Sequence, residues 1–233
     1  MVICSGCAYS GRAEAESCFI ECRLGGSVRE KFQKYEETAE QVKPQPGIET
    51  EPADDVFVNV KDYISDICVD LKYAAEDNFT GTVIYNFQDA YLRYGTVRRL
   101  REVQDAVRKD GYSLKIWDAF RPVSAQFKLW EICPDSRYVA NPNTGYSSHS
   151  KGNTVDITLV GKDENEIMMP TGFDDFSALA DRDYSDCPGE AARNAEYLED
   201  VMQEQGFVPY SGEWWHFTDG DFYAVEESFY PAD

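Results

Sequence analysis

The chain reads as an α+β domain with a small central antiparallel sheet flanked by helices. Three observations predict this. Residues 88–109 and 190–206 each carry apolar side chains at the 3.6-residue period of an amphipathic helix. The run Thr154-Val155-Asp156-Ile157-Thr158-Leu159 is β-branched and suits a central strand. Helical and extended segments mix without a regular βαβ rhythm, which argues against a doubly wound parallel sheet.

Taken in order, residues 1–53 form a cysteine-rich appendage ending in a proline-containing linker. Within it, residues 27–41 place Val28, Phe32 and Tyr35 on one helical stripe, and Lys43-Pro44-Gln45-Pro46-Gly47 breaks the pattern. The main domain is expected over residues 54–233. Val56-Phe57-Val58-Asn59-Val60 and Ile67-Cys68-Val69-Asp70-Leu71 read as strands, and Asn78-Phe79-Thr80-Gly81 as a turn. A helix over 88–109 uses Leu92, Val97, Leu100, Val103 and Val107, and Gly111 stops it. Leu114-Lys115-Ile116-Trp117 is a short strand, and 124–131 a helix entered soon after Pro122. After the central strand, the helix at 190–206 turns Ala195, Leu198, Val201 and Met202 inward. Residues 213–217 close the domain as a short strand or tight turn.

Composition narrows the function classes. Of 233 residues, 42% are hydrophobic and 14% aromatic, which suffices for a packed core. Acidic residues outnumber basic ones 43 to 22, and a net charge of -21 repels nucleic acid and anionic lipid. No run approaches the roughly 18 apolar residues that suggest a membrane span. Residues 1–11 lack the basic start and apolar stretch of a secretory leader, so a cytoplasmic location is expected. The alternative reads Cys4-Ser5-Gly6-Cys7 as the tail of a truncated lipoprotein signal. Seven cysteines cannot all pair within one chain. Cys68, Cys133 and Cys187 are expected as buried thiols. Cys4, Cys7, Cys18 and Cys22 fit a metal knuckle, disulfides or unused thiols.

The chain has only two histidines, and both sit near carboxylates. His149 lies in Ser147-Ser148-His149-Ser150-Lys151-Gly152-Asn153-Thr154-Val155-Asp156. A loop turning at Gly152 into the strand would bring His149 and Asp156 to one ion. A carboxylate in that apolar strand is costly unless paired or bound to metal. His216 follows Glu213-Trp214-Trp215 and is the third candidate ligand. Two histidines and one aspartate leave a position open on four-coordinate zinc, as in catalytic sites. Glu213, three residues before His216, can take a proton from the attacking water and return it to a leaving amine, or orient His216. In Trp117-Asp118-Ala119-Phe120-Arg121-Pro122, Arg121 can stabilise an oxyanion or pair with an acid.

These segments together resemble the D-alanyl-D-alanine dipeptidases of vancomycin-resistance operons and bacterial D-alanine salvage. That group lies within the zinc D-Ala-D-Ala carboxypeptidase superfamily, with the hedgehog signalling domain as a distant relative. The likeness runs from about Asn59 to Phe217. It includes Leu71-Lys72-Tyr73-Ala74, Asp77-Asn78-Phe79-Thr80-Gly81, the Trp117 and Ser147 segments, Phe173-Asp174, and Glu213-Trp214-Trp215-His216. The resemblance implies one catalytic Zn2+ held by His149, Asp156 and His216. It makes Glu213 the general base and Arg121 the transition-state cation. Tyr73 and Asp174 would meet the substrate's free amine, and Ser147 would help hold the substrate. Lys151 stands where the family's His-Ser-Arg-Gly has arginine, and residues 180–185 lack a histidine pair common in relatives.

The implied reaction is hydrolysis of D-alanyl-D-alanine to two D-alanines, so the implied partner is a small dipeptide. Oligomeric state is not readable from the pattern. The alternative is a carboxypeptidase trimming D-alanine from peptidoglycan stem peptides. A third reading, a zinc-stabilised binding module for wall peptides, would be marked by loss of Glu213 or Arg121, and both are present.

Overall fold

β5, Thr154–Gly161, is buried from Thr154 through Val160, on both faces. Its β-branched side chains suit a pleated strand with neighbours on every side. In the computed structural model, which describes residues 51–231, it is the middle of a five-stranded sheet ordered β2-β4-β5-β7-β6. β4 is Tyr112–Asp118, β7 is His216–Asp219, β6 is Phe207–Pro209 and β2 is Cys68–Val69. All neighbours pair antiparallel except the edge pair β2–β4, which is parallel. The expected α+β architecture with an antiparallel centre is therefore present, with one parallel edge added.

The helix read over 88–109 begins later than its apolar period suggests. Residues Tyr91–Arg93 form β3, which pairs antiparallel with β1, Phe57–Asn59, as a separate two-stranded sheet. Helix α1 then runs over Tyr94–Lys109 and ends before Gly111, whose φ of 91° suits glycine. Its Val97, Leu100, Val103 and Val107 are fully buried. Each such side chain contributes about 1.5–3 kcal/mol by leaving water. Gln104, on the same buried face, donates to Ser113 and Asp66, and its amide oxygen accepts from the Leu114 N–H.

Helix α2 spans Val123–Ile132 and helix α3 spans Gly189–Glu204, within about a residue or two of their expected positions. α3 buries Ala191, Ala195, Leu198, Val201 and Met202. Gly206, at φ 87°, turns the chain from α3 into β6. The final segment is both turn and strand: Glu213 to Trp215 turn, and His216 starts β7. Trp214 and Trp215 are fully buried and anchor that turn in the core. Cys68 is a buried free thiol as expected, whereas Cys133 and Cys187 are free but only partly buried, at the end of α2 and before α3. The helix read over 27–41, the linker prolines and the four N-terminal cysteines lie outside the described residues. Among the described residues no helix is long and apolar enough to cross a membrane.

Candidate active site

The site forms where one short turn and the ends of three sheet strands meet. A 3-10 turn, Ser148–Lys151, carries His149. The Ser147 hydroxyl accepts from the His149 N–H at 3.3 Å and caps its start, and Gly152 closes it at φ 78°. A side chain at Gly152 would overlap the Phe57 ring, so the turn lies tight against β1. Asp156 comes from β5 and His216 from β7, and the two are direct register partners across the ladder. The sheet itself therefore sets their spacing.

Nδ1 of His149 lies 2.8 Å from the Ala119 carbonyl oxygen, which can only accept, so Nδ1 carries a proton and Nε2 is the ring nitrogen left to face Asp156. That Nε2 is 3.3 Å from Asp156 Oδ2. Nδ1 of His216 is 2.9 Å from Asp156 Oδ1 and 3.5 Å from Glu213 Oε2. One ligand atom from each of His149, Asp156 and His216 lies within 4.8 Å of the others. Asp156 Oδ1 is buried and makes no hydrogen bond despite its close histidine neighbour. A buried carboxylate oxygen and two imidazoles converging without hydrogen-bond geometry fit a cation, because a metal satisfies lone pairs that face one another. Among the described residues no fourth histidine, cysteine or carboxylate joins the cluster.

Arg121 lies just past β4 in a fully built cage. Its Nη2 and Nε donate to Asp118 Oδ2 at 2.6 and 3.2 Å, and Nη1 donates to Gln126 Oε1 at 2.9 Å. The other Asp118 oxygen accepts from the Tyr85 hydroxyl and the Ala119 N–H. Burial opposes its charge, but the Asp118 carboxylate outweighs that and raises its pKa further. Arg121 thus pairs with an acid, as one of its two sequence readings has it, and it also lines the cleft. Asp118 and Tyr85 are site residues that sequence reasoning missed. Asp118 had a signal, being an acid three residues before Arg121 in the same motif, whereas Tyr85 had none. Ser148 was also passed over; its hydroxyl is 3.3 Å from His216 Nε2.

Asp174 adopts φ 53°, an unusual left-handed conformation for a non-glycine residue. Its Oδ2 accepts from the Tyr73 hydroxyl at 2.8 Å. Burial, with help from the nearby Asp156 and Glu213 charges, pushes its carboxyl up to about 8. Burial and the Asp156 charge also raise Glu213, toward the range useful for proton transfer. In Asp156 the two imidazoles overcome burial and hold the carboxyl low.

All eight residues singled out from the sequence line one cleft of about 300 Å³: Tyr73, Arg121, Ser147, His149, Asp156, Asp174, Glu213 and His216. Ser147 reaches it with its hydroxyl already engaged by the His149 N–H. Tyr138, Tyr146 and Tyr210, which are exposed, also line this cleft.

A buried His-Asp-His cluster, an adjacent glutamate and a caged arginine in one cleft define a metal-dependent hydrolase of the metallopeptidase type. The chain belongs to the D-ala-D-ala dipeptidase family of peptidases, whose profile matches residues 54–231. It is similar to the D-alanyl-D-alanine dipeptidase of Escherichia coli, 38% identical over 152 residues that cover 65% of this chain and 78% of the relative. It is also similar to the enzymes of that name from Streptomyces coelicolor and Enterococcus faecalis. Those are 34% and 31% identical, cover 70% and 69% of this chain, and each match 90% of the relative.

Proposed function

We propose that residues 54–233 are a zinc-dependent D,D-dipeptidase that hydrolyses D-alanyl-D-alanine to two D-alanines. The observation that carries this reading is the convergence of His149, Asp156 and His216, with Glu213 3.5 Å from the same His216 nitrogen that faces Asp156. Two imidazole nitrogens and one carboxylate oxygen suit zinc. Bound there, the ion would supply a water acidified toward neutrality and Lewis-acid polarisation of the carbonyl.

The chain's own groups do the rest. Glu213 takes the proton from the attacking water and returns it to the leaving nitrogen, a task helped by its raised pKa. Arg121, held rigid by Asp118 and Gln126, faces the oxyanion that forms on the former carbonyl oxygen. Tyr73 and Asp174 receive the free ammonium of the substrate. An acylated amine would leave the buried Asp174 carboxylate without its cation, and this favours free dipeptides over blocked ones. Ser147 serves through the His149 turn that it caps.

The test is D-alanine release from D-alanyl-D-alanine and from its N-acetylated form by zinc-loaded protein, with Glu213→Ala as the blank. Cleavage of the free dipeptide alone is expected. Preference for the acetylated peptide would instead assign a carboxypeptidase of stem peptides. Release from neither, with zinc bound, would assign a binding module.

A further inference from the structure

Arg182 plays no part in the reaction just described. It follows the 3-10 turn Ala178–Ala180 in a segment that runs beside the β6–β7 turn. The Trp214 N–H donates to the Ala180 carbonyl at 2.8 Å, and the Arg182 N–H donates to the Ser211 carbonyl at 3.3 Å. The guanidinium then reaches around the turn. Nε donates to the Tyr210 carbonyl at 2.8 Å and Nη2 to the His216 carbonyl at 3.1 Å. Those carbonyls are the two ends of the turn, and the Tyr210 N–H itself donates to His216 O at 3.1 Å. Nη1 is tied back to α3 by Glu199 Oε2 at 2.9 Å and approaches the Tyr184 hydroxyl at 3.2 Å. The guanidinium carbon sits 4.5 Å from the centre of the Phe217 ring. Only 10% of the side chain is exposed.

We propose that Arg182 is a positioning residue for the site: its guanidinium clamps both ends of the turn that carries Glu213 and His216. The inference rests on the metallopeptidase reading above. The turn is pinned from inside by Trp214 and Trp215, but its outer part holds a half-exposed Tyr210 and the side-chain-free Gly212. Within the stretch the backbone bonds from the Glu213 N–H to the Tyr210 carbonyl and from the His216 N–H to the Glu213 carbonyl are both 3.3 Å long, and the Arg182 guanidinium adds side-chain donors to the two end carbonyls. A planar fork with several donors spans two carbonyls and a carboxylate at once, and a lysine ammonium on its flexible stem does not reproduce this. Proton transfer and metal ligation both tolerate little displacement, so a clamp on the carrier turn acts on each of them.

The experiment uses the full chain with Co2+ as the metal probe, comparing wild type, Arg182→Met, Arg182→Lys and the surface control Arg108→Met. Co2+ affinity and visible spectrum report ligand geometry; kcat and KM for D-alanyl-D-alanine report the reaction. Folded Arg182→Met is expected to bind Co2+ about 10–100-fold more weakly, with an altered spectrum, as for other groups that orient metal ligands. Its kcat should fall by a similar factor while KM stays close to wild type, because Tyr73 and Asp174 lie on other segments. Arg182→Lys should fall between, and Arg108→Met should match wild type. A folded Arg182→Met with wild-type Co2+ affinity, spectrum and kcat overturns the clamp. If that variant does not fold, Arg182→Lys decides, and wild-type values there overturn it. A wild-type protein that binds Co2+ but releases no D-alanine defeats the dipeptidase reading alone, since Co2+ affinity and spectrum still judge the clamp; wild type that binds no Co2+ defeats both.

Discussion

In the proposed reaction Glu213 holds a proton for part of each cycle, and its surroundings suit that task. Burial and the neighbouring Asp156 raise its pKa, so it is a stronger base than an exposed glutamate. Glu213→Gln keeps the shape and loses the base; kcat should fall by about 10²–10⁴-fold with metal content unchanged, read by elemental analysis beside steady-state kinetics. Asp118 serves Arg121 instead. Asp118→Ala strands a nearly buried guanidinium and should cost about 3–5 kcal/mol, seen as a lower denaturant midpoint. Asp174 makes a pH prediction. Its folded pKa of about 8 lies above the usual 3.8, so the folded chain binds more protons than the unfolded chain between those values. Its contribution to stability is therefore present at low pH and lost as pH rises through that window. Asp174→Asn should remove this loss. The stability gained over wild type should be larger at about pH 8 than at about pH 5 in substrate-free protein, and a pH-independent difference would refute the raised pKa.

At the level of elements, Gly152 joins the His149 turn to the central strand. Gly152→Ala meets both a left-handed backbone and the Phe57 ring. It should destabilise by more than about 1 kcal/mol and lower metal content, checked by thermal melting and elemental analysis. This turn was legible in the sequence because a glycine between a histidine and a β-branched strand has few other uses. β3 was not. Leu92 fits the helical period of the following segment, and only the distant pairing with β1 pulls Tyr91–Arg93 into a strand. β6 was hidden for a related reason: three residues ending in proline carry almost no periodicity, and Phe207–Pro209 is a strand only because β7 lies beside it. The site was more legible than the sheet, since histidine is rare in this chain and a buried carboxylate must be explained. The Arg182 clamp escaped reading because its contacts are to backbone carbonyls, which leave no mark in sequence.

For the whole molecule, the ion and the fold should stabilise each other. The three candidate ligands belong to β5, β7 and the turn before β5, so a metal bound there would favour the assembled sheet over the open chain. Stripping the ion with a chelator should lower the melting temperature, and zinc restored to about 100 times its dissociation constant should return about 2.7 kcal/mol. An unchanged melting temperature after verified metal removal would refute this coupling.

The ladder pairing of Asp156 with His216 also bears on how the protein is made. Asp156 is synthesised before His216, and α3 lies between them in the sequence. A nascent polypeptide would therefore lack the assembled His149, Asp156 and His216 cluster until β7 had paired with β5. A product cut short before β7 would lack His216 and with it one of the three candidate ligands.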